Sequence, residues 1–231
     1  MFGNFYLLYQ PIFCLRDLSR VVGYEALIRH PVGWSPGDLF REARLRGAIP
    51  FWELRILERA AGEALSHVPE MLFFNISPEA FLDLTFPVKA VHLLEKKGIA
   101  PARVCVEVSE QNLYKPEDFE KTLDFWIACG FFTALDDLGT KGANLDLVLK
   151  TKLDYVKVNR ALISGIARNK HMQGLIVGIV EMLLGNGVFP ILEGLEKEDD
   201  LKWLQEKGWD IGVQGFILAC PAVLPEYSGI E

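Results

Sequence analysis

Along the chain, short runs of β-branched, aromatic and aliphatic residues alternate with longer stretches whose apolar positions recur at helical spacing. That is how a parallel βα repeat reads in sequence. The runs Tyr6–Phe13, Val21–Ile28, Leu72–Ile76, Val104–Val108, Phe132–Leu138, Tyr155–Val158, Phe189–Leu192 and Val213–Leu218 predict strands. They number eight, which closes a small parallel barrel. Helical spacing marks Gly37–Arg46, Phe51–His67, Pro87–Lys97, Pro116–Cys129, Asn144–Lys150, Arg160–Gly185 and Lys197–Lys207. Gly98, Gly130 and Gly208 stand where left-handed C-terminal caps are needed, and Ser35-Pro36 and Lys115-Pro116 read as helix starts. The segment Leu15–Arg20 is too short for a helical crossover, so the first two strands are expected to be antiparallel neighbours. The expected fold is α/β, a modified (β/α)8 TIM-type barrel with an antiparallel first strand.

Length fits that expectation: 231 residues, half of them hydrophobic, suffice for one large core, and a single domain over residues 1–231 is expected. The net charge of -7 is interspersed, with no continuous basic face, which argues against a long nucleic-acid track. The longest apolar stretch, Gly174–Leu184, contains Glu181 and falls well short of the roughly 20 residues that span a bilayer. Cys14, Cys105, Cys129 and Cys220 form no CxxC pair, and the apolar opening lacks the basic region and cleavage site of a secretion signal. A cytoplasmic chain with reduced thiols and no membrane association is expected.

The ends of the predicted strands carry the candidate chemistry. Apolar runs finish in Glu25, Asn75, Glu107, the pair Asp136 and Asp137, Lys157, Glu193 and Gln214. Singly, each has a bland explanation: a solvated strand residue, a helix cap or a turn. A parallel barrel, however, gathers its strand C-termini on one face, and burying so many polar groups is costly unless they pair or coordinate something. Carboxylates and an amide oxygen with almost no histidine favour hard oxygen ligation by Mg²⁺ or Mn²⁺ over zinc. Two such ions about 4 Å apart suit hydrolysis at phosphorus, with Asp136 bridging them. His30, His67, His92 and His171 form no HD or HExxH pattern, and Trp52, Trp126, Trp203 and Trp209 read as packing residues.

Tyr9-Gln10-Pro11-Ile12 followed by Gly23-Tyr24-Glu25-Ala26-Leu27-Ile28-Arg29 resembles the opening of EAL domains. The resemblance continues through Asn75-Ile76-Ser77-Pro78, Glu107-Val108-Ser109-Glu110, Asp136-Asp137-Leu138-Gly139-Thr140, Lys157-Val158-Asn159, Glu193-Gly194-Leu195-Glu196 and Gln214-Gly215-Phe216. It implies a phosphodiesterase that opens cyclic di-GMP to the linear dinucleotide with two Mg²⁺ or Mn²⁺ ions. By resemblance, Glu25, Asn75, Glu107 and Asp136 would hold the first ion, and Asp136 with Asp137 the second. Lys157 would touch the attacking water, Glu193 would be the general base, and Glu110 would anchor the loop after the Asp pair. Gln214, Gln10 and Leu27 would line the substrate, and Arg29 would contact a phosphate. The resemblance also implies a homodimer, and with no sensory module in the chain the input is expected from a partner, from dimerisation or from substrate level.

The chain departs from the pattern chiefly in two places, while Ser109 for threonine and Phe216 for tyrosine are mild changes. The lysine motif usually ends in aspartate, where Asn159 stands here. Either a negative charge beside Lys157 is lost, or Asn159 caps the next helix. The loop Leu138–Leu145 also differs, with Lys141-Gly142-Ala143-Asn144 in place of the usual Gly and Ser run. A second function class therefore stands beside the enzyme: a catalytically silent EAL domain that binds cyclic di-GMP or a protein.

Overall fold

The computed structural model describes residues 5–109, 116–140 and 145–224. Strands β1 (Tyr6–Cys14), β2 (Asp17–Arg29), β3 (Met71–Ile76), β4 (Val104–Ser109), β5 (Phe132–Leu138), β6 (Tyr155–Val158), β7 (Phe189–Leu192) and β8 (Gly212–Val213) close into a barrel in chain order. β1 runs antiparallel to both of its neighbours, β2 and β8, and the other pairs are parallel. The reason is the one read from the sequence: too few residues separate β1 from β2 for a crossover. Helices α1 (Pro36–Leu45), α2 (Ile49–Ala60), α3 (Pro78–Phe81), α4 (Thr85–Glu95), α5 (Pro116–Ala128), α6 (Leu145–Lys150), α7 (Lys170–Gly185) and α8 (Glu198–Gln205) fill the connections.

Strand alternation divides the core in two. In β4, Val104, Val106 and Val108 face the helices, where Phe81, Phe86 and Trp126 pack, and Trp126 Nε1 donates to the Phe81 carbonyl at 3.1 Å. The intervening Cys105 faces the barrel axis with Ile12, Phe73, Ala134 and Ile191. Beneath that layer, the Tyr155 ring meets Phe73, Phe132 and Phe189 edge-on at 5.2, 6.2 and 5.7 Å. Two residues further along each strand lies the next inward position. From Phe73, Cys105, Ala134, Tyr155 and Ile191 that step leads to Asn75, Glu107, Asp136, Lys157 and Glu193. The apolar axis is therefore capped by a polar layer at the C-terminal mouth.

Several expectations change in extent: β2, expected from Val21, already begins at Asp17. The helix expected over Phe51–His67 begins at Ile49 and widens into a π turn, Ala61–Leu65. The helix expected over Arg160–Gly185 breaks into 3₁₀ turns at Arg160–Leu162 and Ile166–Arg168 before α7. Gly165 adopts φ 80°, the buried Asp200 carboxylate accepts the N–H groups of Gly165 (2.8 Å) and Ala167 (2.9 Å), and Asn169 caps α7. These polar contacts divert backbone groups from a continuous helix. The last strand, expected to reach Leu218, stops at Val213 because the chain turns to pack on the loop after β7: Leu195 N–H donates to the Gln214 carbonyl at 3.1 Å. Any Cβ at Gly215 would collide with the Leu195 backbone, so only glycine permits this approach.

Candidate functional site

The Lys157 ammonium lies at the centre of the polar layer. Only 1% of Lys157 is exposed, so its charge must be met by protein groups. Nζ lies 2.7 Å from Glu193 Oε1, 2.8 Å from Glu107 Oε1, 3.2 Å from Glu25 Oε2 and 3.9 Å from Asp136 Oδ1. Glu25 is held in turn by Asn75 Nδ2 on Oε1 and Gln214 Nε2 on Oε2, each at 2.9 Å. Asp137 N–H donates to Asp136 Oδ1 at 2.8 Å, and Asn159 Nδ2 donates to Asp137 Oδ1 at 2.6 Å. A cavity of about 280 Å³ opens over Glu25, Asp136, Lys157 and Glu193 and is also lined by Gln10, Asn159, Arg160, Gly194, Glu196, Gln214, Gly215 and Phe216.

Charge is unbalanced here. Burial pushes Glu107 well above the ordinary carboxylate range and also raises Asp136; neighbouring carboxylates reinforce both shifts, and Lys157 opposes them. Glu193 is pushed up to about 7 by burial and the nearby Asp136 and Glu25, again against Lys157. Burial also disfavours the Glu25 anion, but Lys157 and the two amide donors prevail and hold its carboxyl below the ordinary value. Burial works against the Lys157 cation as well, yet Glu107, Glu193, Glu25 and Asp136 keep it protonated. One ammonium cannot neutralise five carboxylates held this closely, and protons or cations must supply the remainder.

The donor set fits a hard cation. Both Glu107 oxygens are buried without a hydrogen-bond partner among the described residues; Oε1 has the ionic contact to Lys157 at 2.8 Å. Carboxylate oxygens of Asp136, Asp137 and Glu193 lie within 4.8 Å of one another. Glu25, Asn75, Glu107 and Asp136 add oxygens of the kind Mg²⁺ and Mn²⁺ prefer.

The structure brings together most of the residues singled out in the sequence. Gln10, paired with Glu25 across β1 and β2, lines the cavity and donates through Nε2 to the Ala219 carbonyl at 3.0 Å. Leu27 and Arg29 follow Glu25 on the same face of β2, but neither lines the cavity, and Arg29 Nη1 donates to the Ile28 carbonyl at 2.9 Å. Glu110 and residues 141–144 lie outside the described residues. Asn159 corrects one expectation: its amide meets Asp137, not the lysine ammonium, while Oδ1 caps the next turn through Ala161 N–H at 2.8 Å. The capping alternative holds, and the charge difference falls on Asp137.

Sequence reading passed over Arg160, whose guanidinium pairs with Glu196 at 3.0 Å on the cavity rim. It also treated Phe216 as a mild change, yet that ring is 61% exposed at the same rim. Their position directly after strand-end residues was the available signal. Glu53, completely buried in α2, was missed because its pattern is that of any amphipathic helix; it accepts Ser77 N–H at 2.8 Å and Ser77 Oγ–H at 2.9 Å. That contact fixes the chain just beyond Asn75.

A closed α/β barrel with an acidic, lysine-centred mouth at its strand C-termini is the class of fold and site this chain presents. The chain belongs to the EAL domain family, which matches residues 2–221. It is 26% identical over 234 residues to the probable cyclic di-GMP phosphodiesterase PdeN of Escherichia coli (strain K12), covering 97% of this chain and 45% of that protein. It is also 26% identical over 238 residues to the cyclic di-GMP phosphodiesterase RocR of Pseudomonas aeruginosa, covering 99% of this chain and 60% of that protein. The chain thus spans less than two thirds of the curated relatives it matches. Among solved structures, the manganese and cyclic di-GMP complex of Klebsiella pneumoniae BlrP1 at pH 9.0 aligns with TM-score 0.84 and 27% identity over 95% of this chain and 56% of that one. A standalone EAL protein from Vibrio cholerae O395 in its c-di-GMP-bound form aligns with TM-score 0.83 and 21% identity over 98% of both chains, a likeness of fold.

Proposed function

We propose that this chain is a metal-dependent phosphodiesterase that hydrolyses one phosphodiester bond of cyclic di-GMP to the linear dinucleotide pGpG. One observation carries the reading: Glu25, Asp136, Glu193 and Lys157 line one cavity, and Glu107, buried against the same ammonium, accepts no hydrogen bond among the described residues. Glu25, Asn75, Glu107 and Asp136 would hold one Mg²⁺ or Mn²⁺, and Asp136 with Asp137 a second. When bound, such ions supply Lewis-acid stabilisation of the phosphoryl oxygens and favour an ionised water.

The protein's own residues do the rest. Lys157 places a fixed positive charge beside the reacting centre, and Glu193, at 2.7 Å from it, stands ready to take the proton of the attacking water. Water oxygen bonds to phosphorus, and the ribose 3′-oxygen leaves and is protonated. Gln214 and Gln10 line the binding cavity. Arg29 and Leu27, at the end of β2, would meet substrate as it fills the mouth, the guanidinium reaching a phosphate through its fork of donors. Glu110 would anchor the loop after the Asp pair. The same reading has one EAL domain over residues 1–231 acting in the cytoplasm as a homodimer, with input from a regulatory partner. Free Cys14, Cys105, Cys129 and Cys220 support that compartment, and no helix among the described residues is long and apolar enough to cross a membrane.

A second reading, a silent cyclic di-GMP receptor, draws support from the hydrogen bond that ties Asp137 to Asn159. Incubation of the purified protein with cyclic di-GMP and Mg²⁺ or Mn²⁺ separates the two. The enzyme yields pGpG, and Glu25→Ala or Asp136→Ala lowers the rate at least about a hundredfold. Binding without turnover leaves the receptor, and near wild-type rates in both variants reject metal-assisted chemistry at this site.

A further inference from the structure

Asn159 stands directly after β6 and lines the cavity with Asp136, Lys157 and Glu193. Both polar atoms of its side chain are committed. Oδ1 accepts Ala161 N–H at 2.8 Å, which orients Nδ2 toward Asp137 Oδ1 at 2.6 Å. A flipped amide would lose both contacts, so the hydrogen-bond network assigns the orientation. The Asn159 backbone N–H also donates to the Leu138 carbonyl at 2.9 Å. Asp137 is the only non-glycine with positive φ among the described residues, at 66°. That backbone is costly for a residue with a Cβ and persists where its surroundings hold it. Asn159 braces this turn through both its side chain and its backbone.

We infer that Asn159 is a positioning residue that makes the two cation positions unequal: its neutral amide occupies an Asp137 oxygen, so the ion shared by Asp136 and Asp137 binds much more weakly than the ion held by Glu25, Asn75, Glu107 and Asp136. The inference rests on the two-ion reading above. An amide contributes a donor and no charge, so it takes up part of Asp137 Oδ1 without adding any attraction for an ion there. A carboxylate at position 159 would instead face Asp137 with like charge, a repulsion that a divalent ion between them relieves. At such separations one unit charge changes the affinity for a divalent ion by about tenfold or more, even with strong screening. The other position also includes Glu25, whose oxygens accept from the Asn75 and Gln214 amides, but it keeps both buried Glu107 oxygens, which accept no hydrogen bond among the described residues.

Mn²⁺ binding to the wild-type protein, Asn159→Asp and Asn159→Ala, without substrate, tests this by electron paramagnetic resonance of the free ion and by calorimetry, with Tm followed along the same titration. Wild type is expected to take one ion and to bind the second at least about tenfold more weakly. Asn159→Asp should bring the two affinities together; its ion-free Tm should fall and recover as Mn²⁺ is added. Asn159→Ala should also lower the ion-free Tm without strengthening the second site, which separates charge from bracing. Equal affinities in wild type, or the same second-ion affinity in the two variants, would overturn the inference and leave the two-ion reading standing. Failure of all three proteins to bind any ion would remove that reading and the inference with it.

Discussion

Lys157 shows how one residue can be both structural and chemical. Its ammonium is buried among Glu25, Glu107, Asp136 and Glu193 and is the counterion these acids hold inside the protein. Lys157→Met keeps the volume and removes the charge, leaving anions uncompensated, a loss on the order of 3–5 kcal/mol. The loss should depend on pH. Glu193 has its folded value raised from 4.5 to about 7, so the stability it contributes is fully present below the unfolded value and is lost as pH rises through the folded one. Glu107 and Asp136 are displaced in the same direction. Without the ammonium these groups move further upward and the decline steepens. Urea unfolding at about pH 5 and about pH 8 should therefore show the greater Lys157→Met penalty at the higher pH. An equal penalty at both would mean that Lys157 is not the counterion of this cluster.

At the scale of elements, α2 and β3 form a unit whose purpose is visible only in their contact. Glu53 on α2 receives both Ser77 donors just after β3, and Ser77 in turn caps α3 by accepting Ala80 N–H at 3.3 Å. Burial pushes the Glu53 carboxyl up to about 8, partly offset by the bonds from Ser77. Because the folded value exceeds the ordinary 4.5, the contribution to stability is present below that value and is lost as pH rises toward about 8. Glu53→Gln, which retains an acceptor and a donor, should flatten the stability profile across this window while leaving stability near pH 5 within about 1 kcal/mol of wild type. Thermal unfolding of both forms from pH 5 to about 9 checks it, and parallel profiles would contradict it. Chain pattern located α2 and β3 within a few residues, but nothing in it distinguishes Glu53 from solvent-facing glutamates such as Glu58. Likewise, helical spacing over Arg160–Gly185 could not reveal the break around Gly165, because Asp200 comes from α8.

On the scale of the whole molecule, the barrel is the device that gathers the proposed ion site from residues as distant in sequence as Glu25 and Asp137. In the unfolded chain these groups do not converge, so ions bind the folded state almost exclusively and must stabilise it. At about a hundred times the dissociation constant this amounts to about 2.7 kcal/mol, a rise of roughly 5–10 °C for a chain of this size. Calorimetry with Mn²⁺ should show that rise, excess EDTA should reverse it, and Glu25→Ala should remove most of it. A transition indifferent to Mn²⁺ would contradict the cation-binding role of the mouth.

Strand count, antiparallel opening and the acids at the strand ends were determined by the sequence alone, because they depend on local periodicity, loop length and the family motifs. Apolar runs ending in Asn75, Glu107, Asp136 and Glu193 placed these groups at strand C-termini, which a parallel barrel gathers on one face. Partnerships were decided only by the tertiary structure: Lys157 among four carboxylates, Glu53 on Ser77, and Asn159 on Asp137 instead of Lys157. These depend on which strands and helices become neighbours when the barrel closes, and on the left-handed turn at Asp137 that directs its carboxylate toward the amide. Periodicity determines which face a side chain occupies; only the closed fold determines what it meets there.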